Sequence, residues 1–272
     1  MSPVQVGAAG SATVRRLISG PVRPAEILGA FPTALYLRLH GGEVVALLSR
    51  DAVRLPCGLV LPTSSAECPL TRLGGRPLVG SAAVRIGEWS ARISRVVSAR
   101  APTGLTPNHR ASEHAWHRLN GIEIAELQPG LLDDLLRDLG CPRVAADLVD
   151  RLLGVGPGLT PAGDDVLAGL LVGAASFGLA ADPLRAEVID AAPRRTTDLS
   201  AALLRCACRG ESIPQLNAMI VALAGDTTHG GPLDDAMAEL IRVGHTSGGA
   251  LATGVAAAAK VAVRQQALLN RC

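Results

Sequence analysis

The chain has 272 residues, enough for one large domain or two of ordinary size. Hydrophobic residues make up 48% and aromatics only 2%, so the core is large and built from Leu, Val and Ala. With 26 basic against 24 acidic residues the formal net charge is +2, which gives no sign of a nucleic-acid surface, and few aromatics are available to stack on single strands.

The first hundred residues read as strands. Thr33 to Arg38 runs through Leu39-His40 into Gly41-Gly42, then Glu43 to Leu48: two extended apolar runs around a two-glycine turn. Leu59-Val60-Leu61 stops at a proline. Ala83 to Ile86, Gly87-Glu88 and Trp89 onward form a second hairpin, in which Trp89, Ala91 and Ile93 alternate with Ser90, Arg92 and Ser94 and predict one buried and one wet face. Short strands with Gly/Pro punctuation predict a small β-barrel or sandwich-like domain over 1–110.

The segment Ala101 to Asn108 reads as a connector, and the periods beyond it are helical. Helices are expected near 112–119, 129–139, 143–153, 164–180, 183–191, 197–209, 213–224, 232–243 and 248–269. Pro129, Pro142, Pro183 and Pro214 stand near helix starts, where proline is tolerated. The fold class is therefore α+β, with an all-helical domain over 111–272. The most apolar run, Val166 to Ala181, is too short for a membrane span and reads as a buried helix. No secretory core opens the sequence, and the six cysteines show neither a C-x-x-C pair nor zinc spacing, so a cytoplasmic protein with free thiols is expected. Gly169, Gly173 and Phe177 recur every fourth residue on one helix; Ala250, Gly254 and Ala258 do so on another, with Gly249, Thr253 and Ala257 alongside. Small residues at this spacing predict two backbones in close approach, which would bring the loops before these helices together.

Three polar segments at helix starts carry the chemistry. The first is Gly154 to Asp165, with Gly156, Gly158, Leu159, Thr160 and Gly163 leading into Asp164 and Asp165. Its ordinary reading is a capped helix whose two acids favour the dipole. Its functional reading is an anion site built from loop N–H groups. It is no nucleotide loop: no Gly-Lys-Ser/Thr follows, and a helix rather than a strand precedes it. Two carboxylates would repel an anion unless a bridging Mg²⁺, nearby arginines or an outward orientation intervenes. The second segment holds Arg195, Thr196, Thr197 and Ser200, an ordinary cap or a fork for phosphate or carboxylate. The third holds His245, Thr246, Ser247 and Gly248; His245 is a candidate base or electrophile, and otherwise a structural histidine. His114 and His117 lie three apart on one helix, a conceivable metal pair with no third ligand at fixed spacing; a solvated face is the simpler reading. His40 sits at a strand end and His229 in a Thr-Thr-His-Gly-Gly loop.

These segments resemble, in the same order, the signatures of the oxamate carbamoyltransferase AllH-subunit family: Gly156 to Asp165, Thr196 to Ser200 followed by Ala207 and Gly210, and Gly244 to Gly248. Gly249 stands where that family has an aromatic residue. The resemblance implies one subunit of a heteromeric assembly that transfers a carbamoyl group from carbamoyl phosphate to oxamate, giving oxalurate and phosphate, in allantoin and purine-nitrogen breakdown. On this reading Arg195, Thr196, Thr197, Ser200, Thr246, Ser247, Gly248 and the glycine loop hold small anionic substrates, His245 or Asp164 takes the proton, and Asp165 orients a partner or a cation. A non-catalytic anion-binding or structural subunit is the alternative. Neither nucleic acid nor membrane is an expected partner.

Overall fold

The protein is described from a computed structural model, over residues 4–119, 139–225 and 231–269. The chain divides into two compact units, Met1–Ala99 and Arg100–Cys272.

The first unit is a closed barrel of eight strands: β1 (Val4–Gly10), β2 (Arg23–Ala30), β3 (Ala34–Leu39), β4 (Val44–Leu48), β5 (Gly58–Val60), β6 (Pro77–Gly80), β7 (Ala83–Ile86) and β8 (Trp89–Val96). Around the barrel they run β1-β5-β4-β3-β2-β6-β7-β8, and β8 closes on β1. The pairs β4–β5 and β1–β8 are parallel and the others antiparallel. Alternation fills the interior: Leu35, Leu37 and Leu39 of β3 join Val45 and Leu47 of β4 and Val84, Ile86 and Ala91 in one core. The short helix α1 (Ala12–Ile18) adds Val14 and Ile18, one turn apart, to the same core. Ser11 starts it, accepting from the Val14 N–H at 3.1 Å and donating to Pro56 O at 2.6 Å.

Both predicted hairpins form, β3–β4 and β7–β8. The wet face expected on β8 is only partly wet. Arg92 and Ser94 are exposed, but Ser90 is buried, because barrel closure gives β8 neighbours on both sides. Three strands carry no alternation strong enough to read: β1, β2 and β6. In β1 the chain approaches β8 closely at Gly7, where a Cβ would sit 2.9 Å from Ser94 Oγ.

The second unit holds α2 (His109–Leu119), α3 (Pro142–Leu152), α4 (Ala162–Phe177), α5 (Asp182–Arg195), α6 (Asp198–Cys208), α7 (Pro214–Ala224), α8 (Pro232–Ile241) and α9 (Ser247–Leu269). The helix expected over 129–139 lies almost wholly outside the described residues, as does His229. The expected boundary at 110/111 falls inside α2; the units part at 99/100. The connector belongs to the helical unit through backbone bonds. Ala101 donates to Gly210 O at 2.8 Å, Leu105 to Ser176 O at 3.0 Å and Asn108 to Leu223 O at 2.8 Å. Asn108 also caps α2, its Oδ1 accepting from the Arg110 and Ala111 N–H groups.

At the centre α4 packs on α9 along the two small-residue stripes. A Cβ on Gly169 would overlap the carbonyl oxygen of Leu251, and one on Gly254 would overlap that of Val166. Only glycine permits this approach. Almost all of α4 is buried, and Gly178, in the left-handed region at φ +72°, ends it. No helix among the described residues is long and apolar enough to cross a membrane.

Candidate functional site

The site grows from the end of α3. Gly163, in the first turn of α4, packs so tightly on Leu152 that a Cβ would overlap the Leu152 carbonyl oxygen. The chain must turn back between these two residues, and Gly154, Gly156 and Gly158 do so with φ of +78°, +115° and +88°. The turn leaves Asp164 and Asp165 inside the protein, 1% and 7% exposed.

Asp164 is the knot of the site. Its Oδ1 accepts from the Gly154 N–H at 2.6 Å. Its Oδ2 accepts from the Thr196 hydroxyl and from Ser200 Oγ, the latter at 2.5 Å. One carboxyl therefore joins the glycine loop, the α5–α6 turn and the first turn of α6. Burial pushes its pKa above the ordinary carboxylate range, while the Gly154, Ser200 and Thr196 donors pull it back. Thr197 ties a second thread. Its hydroxyl donates to Leu159 O at 2.6 Å and accepts from the Ser200 N–H at 3.1 Å as the N-cap of α6.

The third segment joins on the other side. Thr160 Oγ1 lies 3.2 Å from Ser247 Oγ at the start of α9. Ser247 also hydrogen-bonds Asp165. The second carboxyl oxygen, Asp165 Oδ2, is buried and has no hydrogen-bond partner. Burial, with Asp164 beside it, pushes the Asp165 pKa up to about 8 against the pull of Ser247. The two adjacent acids thus have different characters: one held by three donors, the other pushed by burial toward its neutral form.

Thus the structure brings together Leu159, Thr160, Asp164, Asp165, Thr196, Thr197, Ser200 and Ser247, with Gly163 and Gly248 in the adjoining helix starts. Gly248 packs on α8 as Gly163 does on α3: a Cβ there would overlap Leu240 O. Some expectations change. The N–H groups of Gly163, Asp164 and Asp165 are not free for an anion, because they donate to Val155 O at 2.9 Å and to Pro161 O at 3.0 and 3.2 Å. The Gly248 N–H is spent on Val243 O at 2.9 Å. The N–H groups of Gly156, Gly158, Leu159 and Thr160 donate to no backbone acceptor among the described residues. Arg195 does not open a helix; α5 runs on to it. Its guanidinium turns to α3, donating from Nη1 to Asp150 Oδ1 at 2.6 Å and from Nη2 to Asp150 O at 3.1 Å. Asp164, with both oxygens occupied, is badly placed as a base. His245 is exposed on the turn before α9, and Thr246 beside it is half-buried.

The Gly154 N–H and Asp150 had no signal in the sequence as parts of this network, since both act across 10 or more residues through a fold-specific contact. No group of three or more His, Cys, Asp or Glu side chains that could hold a metal ion exists among the described residues. His114 and His117 go separate ways: His114 Nε2 lies 2.8 Å from Asp234 Oδ1 and His117 Nε2 3.8 Å from Glu113 Oε2.

Residues 152–259 match the family model described as oxamate carbamoyltransferase subunit AllH. The match bears out the resemblance carried by the three motifs, and it contains all three segments. No curated protein and no solved structure matches the chain.

Proposed function

We propose that the protein is a subunit of a heteromeric enzyme that moves a carbamoyl group from carbamoyl phosphate to oxamate, releasing phosphate and oxalurate, within allantoin and purine-nitrogen breakdown in the cytoplasm. The observation that carries this reading is the AllH match across the stretch that contains all three segments of the junction. Both substrates are small anions. The donors on offer are the N–H groups of Gly156, Gly158, Leu159 and Thr160 and the hydroxyl of Thr246. Fixed donors of this kind stabilise charge as phosphate departs. In the transfer, the oxamate amide nitrogen bonds to the carbamoyl carbon, the carbon–oxygen bond to phosphate breaks, and the nitrogen gives up a proton. His245, exposed beside Thr246 and Ser247, is the residue assigned to receive it. Asp164 and Arg195 act as positioning residues that hold the three segments in register.

The alternative of a non-catalytic subunit has its own support. Asp164, Thr196, Thr197 and Arg195 spend their polar groups on one another and on Asp150, as a purely structural knot would. Calorimetric titration of the purified chain with carbamoyl phosphate, oxamate and oxalurate, with and without Mg²⁺, separates the readings. Binding of at least one is expected; binding of none supports the structural subunit. Carbamoyl transfer by the assembly reconstituted with its sister subunits is then expected to fall at least a hundredfold with His245→Ala. Full activity in that variant would remove His245 from the chemistry.

A further inference from the structure

We propose that Asp165 is the charge gate of the junction: as a neutral acid it lets the glycine loop and the start of α9 hold a small carboxylate anion, and as a carboxylate it expels one. The inference rests on the anion-binding reading given above and says which protonation state of the site is competent.

The geometry leaves Asp165 without a counter-charge. It lies in the first turn of α4, 7% exposed, and its Oδ2 has no partner. Its charged neighbour is Asp164, of the same sign. The groups that hydrogen-bond the two acids are uncharged: Ser247 from α9, Ser200 from α6, Thr196 from the turn before it, and the Gly154 N–H from the loop after α3. Arg195 of the second segment is turned to Asp150. His245 is exposed on the turn before α9.

The path from Asp165 to the loop is short. Its carboxyl bonds Ser247, and Ser247 Oγ lies 3.2 Å from Thr160 Oγ1, whose own N–H belongs to the loop's unspent donors. A negative charge appearing on Asp165 therefore appears within one hydroxyl pair of the proposed anion site, in surroundings with little water to screen it. The neutral acid removes the conflict that two adjacent carboxylates otherwise create at an anion site. It also explains why the partnerless oxygen is tolerated, since a neutral oxygen costs far less to bury than an ionised one.

An acid that titrates near pH 8 makes a specific claim. If only the neutral form binds, apparent affinity scales with the neutral fraction, so it falls about tenfold between pH 7 and pH 9. The probe is oxamate, whose carboxylate stays ionised over that whole range. Calorimetric titration of the full chain at pH 7 and pH 9 is expected to show this loss in the wild type and a flat profile in Asp165→Asn, which is neutral at both. Ser247→Ala removes the hydroxyl that favours the charged form. It is expected to move the loss to higher pH, and it serves as a second readout should Asp165→Asn fail to fold. Equal oxamate affinity of the wild type at both pH values, or a tenfold loss that persists in Asp165→Asn, would overturn the gate while leaving anion binding intact. Failure of the wild type to bind oxamate at either pH would overturn the anion-binding reading and the gate with it.

Discussion

The barrel and the helical unit handle polar residues in opposite ways. The barrel interior is a continuous apolar cluster, and its buried polar residues are uncharged: Ser11, Thr13, Ser49 and Ser90. The helical unit buries Asp164, Asp165, Glu211 and Lys260. Lys260 of α9 meets Glu113 of α2 at 2.5 Å, and Glu211 meets Arg209 at 3.1 Å, so those charges are paired. The two aspartates form no ion pair among the described residues. The comparison teaches where to look for chemistry: an apolar barrel needs no ionisable group to hold together, whereas a buried acid without a counter-ion has to be accommodated by everything around it. The family match, confined to 152–259, falls on the same side of that divide.

The largest test of the contrast is Asp164→Ala. It strands the Gly154 N–H and the Thr196 and Ser200 hydroxyls at once, and a loss of about 3–5 kcal/mol is expected. Denaturant unfolding followed by hydrogen exchange should place the damage in the helical unit, with the barrel amides as protected as before; equal loss in both units would erase the distinction. Asp165→Asn is expected to act with the opposite sign. The folded pKa is raised to about 8, above the unfolded value, so the folded state holds a proton that the unfolded chain releases. Stability therefore falls as pH rises from about 4 to about 8 and levels off above. Removing that penalty should stabilise the variant at pH 8 on the order of a few kcal/mol, with no gain at pH 3. Thermal melts of both proteins at the two pH values check this.

Smaller effects sharpen the contrast in packing. Gly254→Ala puts a methyl group against Val166 O and should cost about 1–3 kcal/mol by pushing α4 and α9 apart. Equilibrium unfolding measures it, and no loss would mean the two helices are free to separate. In the barrel the β6–β7 turn places Ser81 and Ala82 at φ of +51° and +59°. Ala82→Gly should stabilise by about 0.5 kcal/mol, because glycine adopts that region freely. A shift in the midpoint of barrel unfolding without a change in the helical unit is the expected readout.

That same turn shows why parts of the fold were hidden in the sequence. The β3–β4 hairpin announces itself through Gly41 and Gly42, both at positive φ. The β6–β7 hairpin uses Ser81 and Ala82, which carry no such signal. It is held instead by their N–H groups on Gly20 O and Ile18 O, each at 2.8 Å. The helices were more legible, since their apolar period and proline starts are local properties. Arg195 was misread because α5 continues past Pro193, and a proline so near a helix end usually marks its limit. At the site, the three segments could be picked out by their glycines, threonines and acids. How they join could not, because each decisive bond spans a long stretch of chain: Asp164 to Ser200, Thr197 to Leu159, Thr160 to Ser247. The different fates of two adjacent aspartates follow from one residue's rotation about α4, about 100°.

The seam of the barrel sets an order on its assembly. β1 has two neighbours, β5 on one side and β8 on the other, and Val4 also donates to Glu88 O at 2.8 Å. As the chain is synthesised, its first strand gains one edge only when residues near 58 are available and the other only when those near 89 are. Until then β1 is an open edge, exposed to pairing with another chain. Barrel closure thus waits for β8, and chains halted short of Val96 are the ones expected to aggregate.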